Sequence, residues 1–400
     1  MKRFCYILLI FLAICTIADA RTYTLERGDN LQAIINLAAD GDTLIITPKT
    51  LYARPTNFKD PLCGNCLDPT EGAEASYGFL IKDKALIIIG EDRQRTILNT
   101  NAGYGIYFEN SNGSILRNLT VTGGKRDGDG RATSAGIVVR NSTVLIENVS
   151  VINNTNRSDD SAVVVGIGGI FGREGADMTI RNCLIENNGW DGIALYRGAN
   201  AVITDCVIKD GRGAGIGITW DATALIYRNE VSGFWKGIGA FGTSWVVARN
   251  NLVHQNLGWG MIATGKAYMD IANNVIDSNG NCGVAPWSTD SRGRIVNNII
   301  CRNGWRDQWV CPCVGVWNYG DWAKWDFAFN IVWDNSEGNY QDIWDQTGLN
   351  GNLSVDPLFT DSLIFQPGIG SPALNVGDST IYNKDGSRSH IGLTGGPQAK

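Results

Sequence analysis

Arg140, Arg173, Tyr196, Thr219, Phe241, Thr264, Trp287 and Tyr319 recur at nearly even intervals, 23 residues for example from Arg173 to Tyr196 (196 − 173). Asp191 and Lys236 each fall five residues before a member of this series. Together they supply the side-chain types needed to cleave an acidic polymer by elimination. A cation neutralises a carboxylate and acidifies the adjacent carbon, a base takes the proton, and an acid protonates the leaving oxygen. The candidate catalytic residues are therefore Arg173, Tyr196, Asp191 and Lys236. Calcium could replace the cationic side chain; no other cofactor is implied.

These side chains matter only if they share one face. Ile137, Ile170, Ile193, Ile216, Ile238, Met261, Val284 and Val316 read as the inward residue that opens one repeated strand. The next residues then point outward: Val138, Phe171, Ala194, Gly217, Gly239, Ile262, Ala285 and Trp317. Four of the middle five are Ala or Gly, which predicts a low floor. The series that begins at Arg140 lies two residues further on the same face, and Trp190, Trp235 and Trp259 border the other side. The expectation is a shallow groove whose aromatic walls stack on sugar rings. Its binding residues would be Arg140, Trp190, Arg197, Asp221, Trp235, Phe241, Trp259, Trp287 and Tyr319. All thirteen tryptophans lie between Trp190 and Trp344, so they do not form a uniformly repeated core. Trp305, Trp309, Trp322 and Trp325 read instead as packing under long loops. Arg140 and Arg173, on neighbouring turns, repel unless an anion or carboxylates intervene; Asp127, Asp129 and Asp177 are the candidates.

The element that positions these residues is a repeat. "NCLIENNGWDGIAL" from Asn182 is answered 23 residues later by "DCVIKDGRGAGIGI". Thr120, Ser150, Leu184, Val207, Glu230, Leu252, Val275, Ile299 and Ile331 share one repeat position, at intervals of 30, 34, 23, 23, 22, 23, 24 and 32. Each unit holds short β-branched runs separated by Gly, Asn and Asp, without helical periodicity. Three short strands per turn of a solenoid fit this period, each turn stacking about 4.8 Å above the last. Asn118, Asn148, Asn182, Asp205, Asn250, Asn273 and Asn297 occupy one turn position, where Asn tolerates left-handed backbone. Cys183 and Cys206 follow on adjacent turns and are expected to stack in the core. Leu31, Ile34, Ile35 and Ala38 follow helical spacing after Asp29, a candidate N-cap, and predict a helix over 30–39 that covers the first turn.

"LQAIINLAADGDTLIITPKTLY", "LTVTGGKRDGDGRATSAGIVV", "MTIRNCLIENN" and "VDPLFTDSLIFQPGIGSPALNVGD" resemble the cap, repeats and closing segment of the secreted right-handed parallel β-helix proteins of the pectin-lyase-like superfamily. The resemblance implies an all-β parallel solenoid with a short N-terminal capping helix. It implies no one activity, since the superfamily holds lyases, hydrolases, epimerases and adhesins. The superfamily's catalytic signatures are missing. Asp159-Asp160 lacks a nearby histidine, and Asp356-Pro357 is followed by Leu358.

Composition narrows the class. Lys2-Arg3, the apolar run "FCYILLIFLAICTIA" and Ala18-Asp19-Ala20 read as a secretory leader spanning 1–20. Its removal takes two positive charges and one negative, so the net charge of −6 becomes −7. That balance lacks the basic stripe that nucleic-acid binding requires. No later apolar run is long enough for a bilayer. The remaining organisation reads as a cap and first turn (21–80), a parallel solenoid (81–344) and a closing segment (345–400). Eight cysteines remain after cleavage. Cys63-Gly-Asn-Cys66 and Cys311-Pro-Cys313 each lack the second pair of a zinc site, and His254 and His390 are the only histidines. Disulfides are the expectation: Cys63 with Cys66, and Cys301 with Cys311 or Cys313.

The sequence thus points to a secreted or periplasmic β-helix that binds polysaccharide, with an anionic polymer and a lyase reaction as the sharper reading. The alternative from another class is a non-catalytic surface or matrix protein that uses the solenoid as a spacer or adhesin.

Overall fold

The structure, a computed structural model, describes residues 20–26, 28–157, 166–361 and 365–400. Apart from Ala20, the leader lies outside the described residues, as do Asp159-Asp160. Among the described residues three long sheets wind around one core, two of 12 strands and one of 11, and apart from one antiparallel edge strand each strand pairs in parallel with its counterpart one turn away. The predicted register holds. Thr120 pairs with Ser150, Ser150 with Leu184, Leu184 with Val207, and the series continues to Ile299 with Ile331. Ile137, Ile170, Ile193, Ile216, Ile238, Met261, Val284 and Val316 are in register on another sheet and essentially unexposed. The solenoid forms because alternation along β-branched strands sends one set of side chains into a shared core and the other outward.

The turn position is left-handed, as expected: Asn118, Asn148, Asn182, Asp205, Asn250, Asn273 and Asn297 have φ between 51° and 60°. The continuous side-chain ladder, however, belongs to the next residue. Asn229, Asn251, Asn274, Asn298, Asn330 and Asn352 are buried, and each Nδ2 up to Asn330 donates to the Oδ1 of the following one at 3.0–3.2 Å. Cys183 and Cys206 sit buried at the start of this column, and Cys206 N–H donates to Asn229 Oδ1. A second buried ladder joins Asn256, Asn279, Asn303 and Asn335 at another corner. Both ladders satisfy amides that would otherwise be stranded at sharp turns away from water.

The capping helix spans Leu31–Leu37 and buries Leu31 and Ile35. Its N-cap is Asn30, whose side chain accepts from Ala33 N–H; Asp29 instead accepts from Glu26 N–H. Among the described residues, no helix is long and apolar enough to cross a membrane.

Three excursions from the solenoid decide which outward faces stay open. The strand Thr56–Asp60 runs antiparallel to Ala73–Lys82 at one sheet edge. Between them the Cys63–Cys66 disulfide closes a short loop, as expected. Residues 302–315 form the insertion after the strand Ile299–Cys301. The closing segment runs back along the flank. Asn250 and Asn273 donate to Leu393 O and His390 O, and Phe365, Ala373 and Ile391 pack on Leu252, Val275 and Ile299.

Candidate functional site

The predicted groove runs along the sheet that carries Ile193–Leu195, Ala214–Ile218 and Lys236–Ala240. It is not open from end to end. At its N-terminal end, Val138, Phe171, Ala194 and Tyr196 are buried in one cluster with Ala73, Ala75, Tyr104 and Ala132. Arg173, expected as the carboxylate-binding cation, has no exposure. Its Nη1 donates to Asp60 Oδ2 at 2.8 Å, to Tyr104 Oη and to Thr133 Oγ1, and its Nη2 donates to Leu62 O. No substrate can reach it. Arg140 donates to Asp60 Oδ1 at 2.8 Å and to Glu109. The carboxylates that hold the two arginines apart are therefore Asp60, Glu109 and Glu174. Asp127 instead accepts from Ser76, and Asp129 pairs with Arg131.

Arg197 also leaves the groove. Its guanidinium lies over the Trp220 ring, 4.5 Å from the centroid, and donates to Cys66 O. Asp221 is exposed and accepts from Gly198 N–H at 2.8 Å, which fixes a turn.

At the other end, Trp259, Ile262, Ala285 and Trp317 are buried with Cys282, Cys311 and Val314 beneath the insertion, and half-buried Trp287 packs on them. Trp259 is thus a packing residue, and Tyr319 stands exposed beyond the covered part. Trp309 was expected under a loop, but it is 69% exposed and meets half-buried Trp235 edge-on with centroids 4.8 Å apart. Arg306 lies over the other tryptophan of this contact, Trp235, at 5.1 Å. Trp325 is buried as expected.

What remains is a short gap centred on Gly217. A β-carbon at Gly217 would meet only Ala214 Cβ at 3.4 Å and Asp191 Oδ2 at 3.7 Å, so this buried glycine has room for one beside Asp191. Gly239 is covered by the folded-back Phe241 ring. Asp191 lies on one side of the gap, with Oδ1 accepting from Ala214 N–H at 2.6 Å. Lys236 lies on the other, two strand spacings away, about 10 Å, with its ammonium 6.0 Å from the Phe241 centroid and 5.7 Å from that of Trp259. Trp190 and Trp235 border the gap, both half-buried.

This winding has a family. The description "right handed beta helix region" matches residues 73–223 and 135–300. The chain belongs to the right-handed β-helix family. In β-strand winding it is similar to solved structures at low identity. Pectate lyase Pel9A gives a TM-score of 0.47 at 14% identity, covering 94% of this chain and 97% of that one. The periplasmic alginate epimerase AlgG gives 0.45 at 13%, covering 70% and 76%. The A-module of mannuronan C-5 epimerase AlgE4 from Azotobacter vinelandii gives 0.42 at 15%, covering 81% and 86%. No curated protein matches the chain in sequence.

The gap in this β-helix is electrostatically unusual. Burial pushes the Asp191 carboxyl up to about 6, against the opposing pull of the Ala214 N–H and Lys236. Burial lowers Lys236, with Asp191 opposing. Burial, reinforced by the Asp191 charge, raises Tyr196 well above its usual value, so its phenol stays protonated. A carboxyl and an ammonium that face one gap without a short ion pair are free to engage a third group. Among the described residues, no group of three or more His, Cys, Asp or Glu is placed to hold a metal ion. Of the residues expected along the groove, Asp191, Lys236, Trp190, Trp235 and Phe241 border this gap. The sequence expectation missed Asp60, whose only signal was an acidic residue in an irregular stretch.

Proposed function

We propose that this protein is a secreted, polysaccharide-acting β-helix and that the gap over Gly217 cleaves a uronic-acid polymer by elimination. The observation that carries the reading is Asp191 and Lys236 on either side of Gly217, bordered by Trp190, Trp235 and Phe241. At neutral pH Asp191 is ionised and serves as the base for the proton beside the sugar carboxylate. The Lys236 ammonium neutralises that carboxylate and stabilises the negative charge that develops on it. Tyr196 is buried beside the gap and does not reach the sugar, so the proton for the leaving oxygen comes from water. Trp190, Trp235 and Phe241 offer ring faces and edges to neighbouring sugars.

The test is a panel of polyuronates, with and without calcium, followed by ultraviolet absorbance of the unsaturated product and by binding. Activity is expected in the wild type and lost in Asp191→Asn and Lys236→Met. Neither product nor binding on any acidic polymer would refute the reading. Binding without product would leave the solenoid as an adhesin.

A further inference from the structure

We infer that Cys282 and Cys311 are joined by a second disulfide, which staples the insertion at residues 302–315 to the solenoid and holds one wall of the gap. The inference does not depend on the polysaccharide reading. Both thiols are buried, at 0% and 1% exposure, and their sulfurs are 3.7 Å apart. A disulfide needs about 2.05 Å, so closure requires a movement of roughly 1.7 Å, within reach of side-chain rotation.

The other thiols have different partners. Cys301, the expected partner of Cys311 or Cys313, points its sulfur at Asp277 Oδ1, 3.3 Å away. Cys313 donates to Arg306 O at 3.0 Å and accepts from Asn281. Cys183 and Cys206 donate to backbone carbonyls and also contact each other, but both lie on regular solenoid turns away from the insertion. Among the cysteines of the described residues, the pair Cys282–Cys311 joins the insertion to a solenoid turn, where Gly260 N–H donates to Cys282 O and Gly283 N–H donates to Val314 O.

Backbone bonds from Gly304 and Arg306 to Asn279 O and Gly280 O anchor the start of the insertion, and its tip stays in solvent. Trp305, Trp309 and Val310 are 55%, 69% and 41% exposed. That tip buries little apolar surface and opens locally at small cost. Yet Trp309 and Arg306 both lean on Trp235, so the position of this segment sets the shape of the aromatic wall.

The step balances with an exogenous disulfide of the glutathione class as oxidant. Cys282 and Cys311 each lose a proton and one electron, and one S–S bond forms between them. The oxidant's S–S bond breaks, taking up two electrons and two protons to give two thiols. Because the sulfurs end up buried, exchange takes place while the insertion is still open during folding.

Peptide mapping under non-reducing conditions tests the pairing in protein refolded in a glutathione redox buffer, with thiols alkylated before digestion. A cross-linked peptide containing Cys282 and Cys311 is expected, with Cys301 and Cys313 alkylated. Alkylated Cys282, or Cys311 linked to Cys301 or Cys313, would overturn the inference; the Cys63–Cys66 link in the same digest reports that the buffer was oxidising. As a second measurement, trypsin cleavage after Arg306 should quicken by about tenfold or more in Cys311→Ser while the solenoid stays resistant. Equal cleavage rates in the variant and the oxidised wild type would mean that no staple exists.

Discussion

Asp60 and Arg173 are 113 residues apart in sequence and joined by a 2.8 Å bond at which neither side chain is exposed. The other Asp60 oxygen accepts from Arg140, 80 residues away. One carboxylate on an edge strand therefore neutralises two guanidiniums on successive turns and pins the Cys63–Cys66 loop over the groove. Asp60→Asn leaves Arg173 with Glu174 alone and Arg140 with Glu109 alone, and should destabilise by about 3 kcal/mol. Denaturant unfolding measures this. A loss below about 1 kcal/mol would show that the cluster is solvated and the arginines are accessible.

Gly217→Ala should cut polymer cleavage while leaving the unfolding midpoint nearly unchanged. The added methyl enters the room beside Asp191, and Gly217 does not have the left-handed backbone that only glycine accepts easily. Undiminished activity in a folded variant would move the site elsewhere.

The Asp191 carboxyl, raised from 3.8 to about 6, makes two pH predictions. As the base, it must be ionised, so activity should rise as pH increases through about 6. For stability, the folded state holds a proton between pH 3.8 and about 6 that the unfolded chain has released. Stability contributed by this group therefore falls as pH rises across that window. The wild-type rate profile checks the first trend, and Asp191→Asn should flatten the second in pH-dependent unfolding.

Trp235→Ala should weaken glycan binding roughly five- to hundredfold, since a stacking ring is worth about 1–3 kcal/mol in comparable base–aromatic contacts. It also loses edge-on contacts to Trp259 and Trp309, centroids 5.6 and 4.8 Å apart, each worth about 0.5–1.5 kcal/mol. The exposed Trp309→Ala isolates the second contact. Unchanged affinity in both variants, measured by calorimetry on a bound oligosaccharide, would assign these rings to the scaffold.

Asn274 lies mid-ladder. Its Oδ1 accepts from Asn251, and its Nδ2 donates to Asn298 Oδ1 and Ala248 O. Asn274→Ala strands several buried groups, each costing about 1–3 kcal/mol. The expected loss is at least about 3 kcal/mol by denaturant unfolding. A smaller loss would mean that water enters the corner and replaces the amide.

The residues alone determined the winding. A 23-residue period, alternating β-branched strands and asparagines at left-handed turns are local features, and they set the register from Thr120 to Ile331 and the inward series from Ile137 to Val316. They also put Asp191, Lys236 and the small floor on one face. They did not decide which part of that face is open. Arg173, Tyr196 and Trp259 point outward by alternation, yet each is buried because a loop, an edge strand or an insertion lies over it. Those covers are irregular segments held by contacts such as Asp60 with Arg173, whose partners no local pattern relates. One hint was present: the outward position changes from Thr120 and Ser150 to Leu252, Val275, Ile299 and Ile331, aliphatic residues that need a cover, and the closing segment supplies it. Alternation fixes a side chain's direction, but exposure depends on everything else that folds above it.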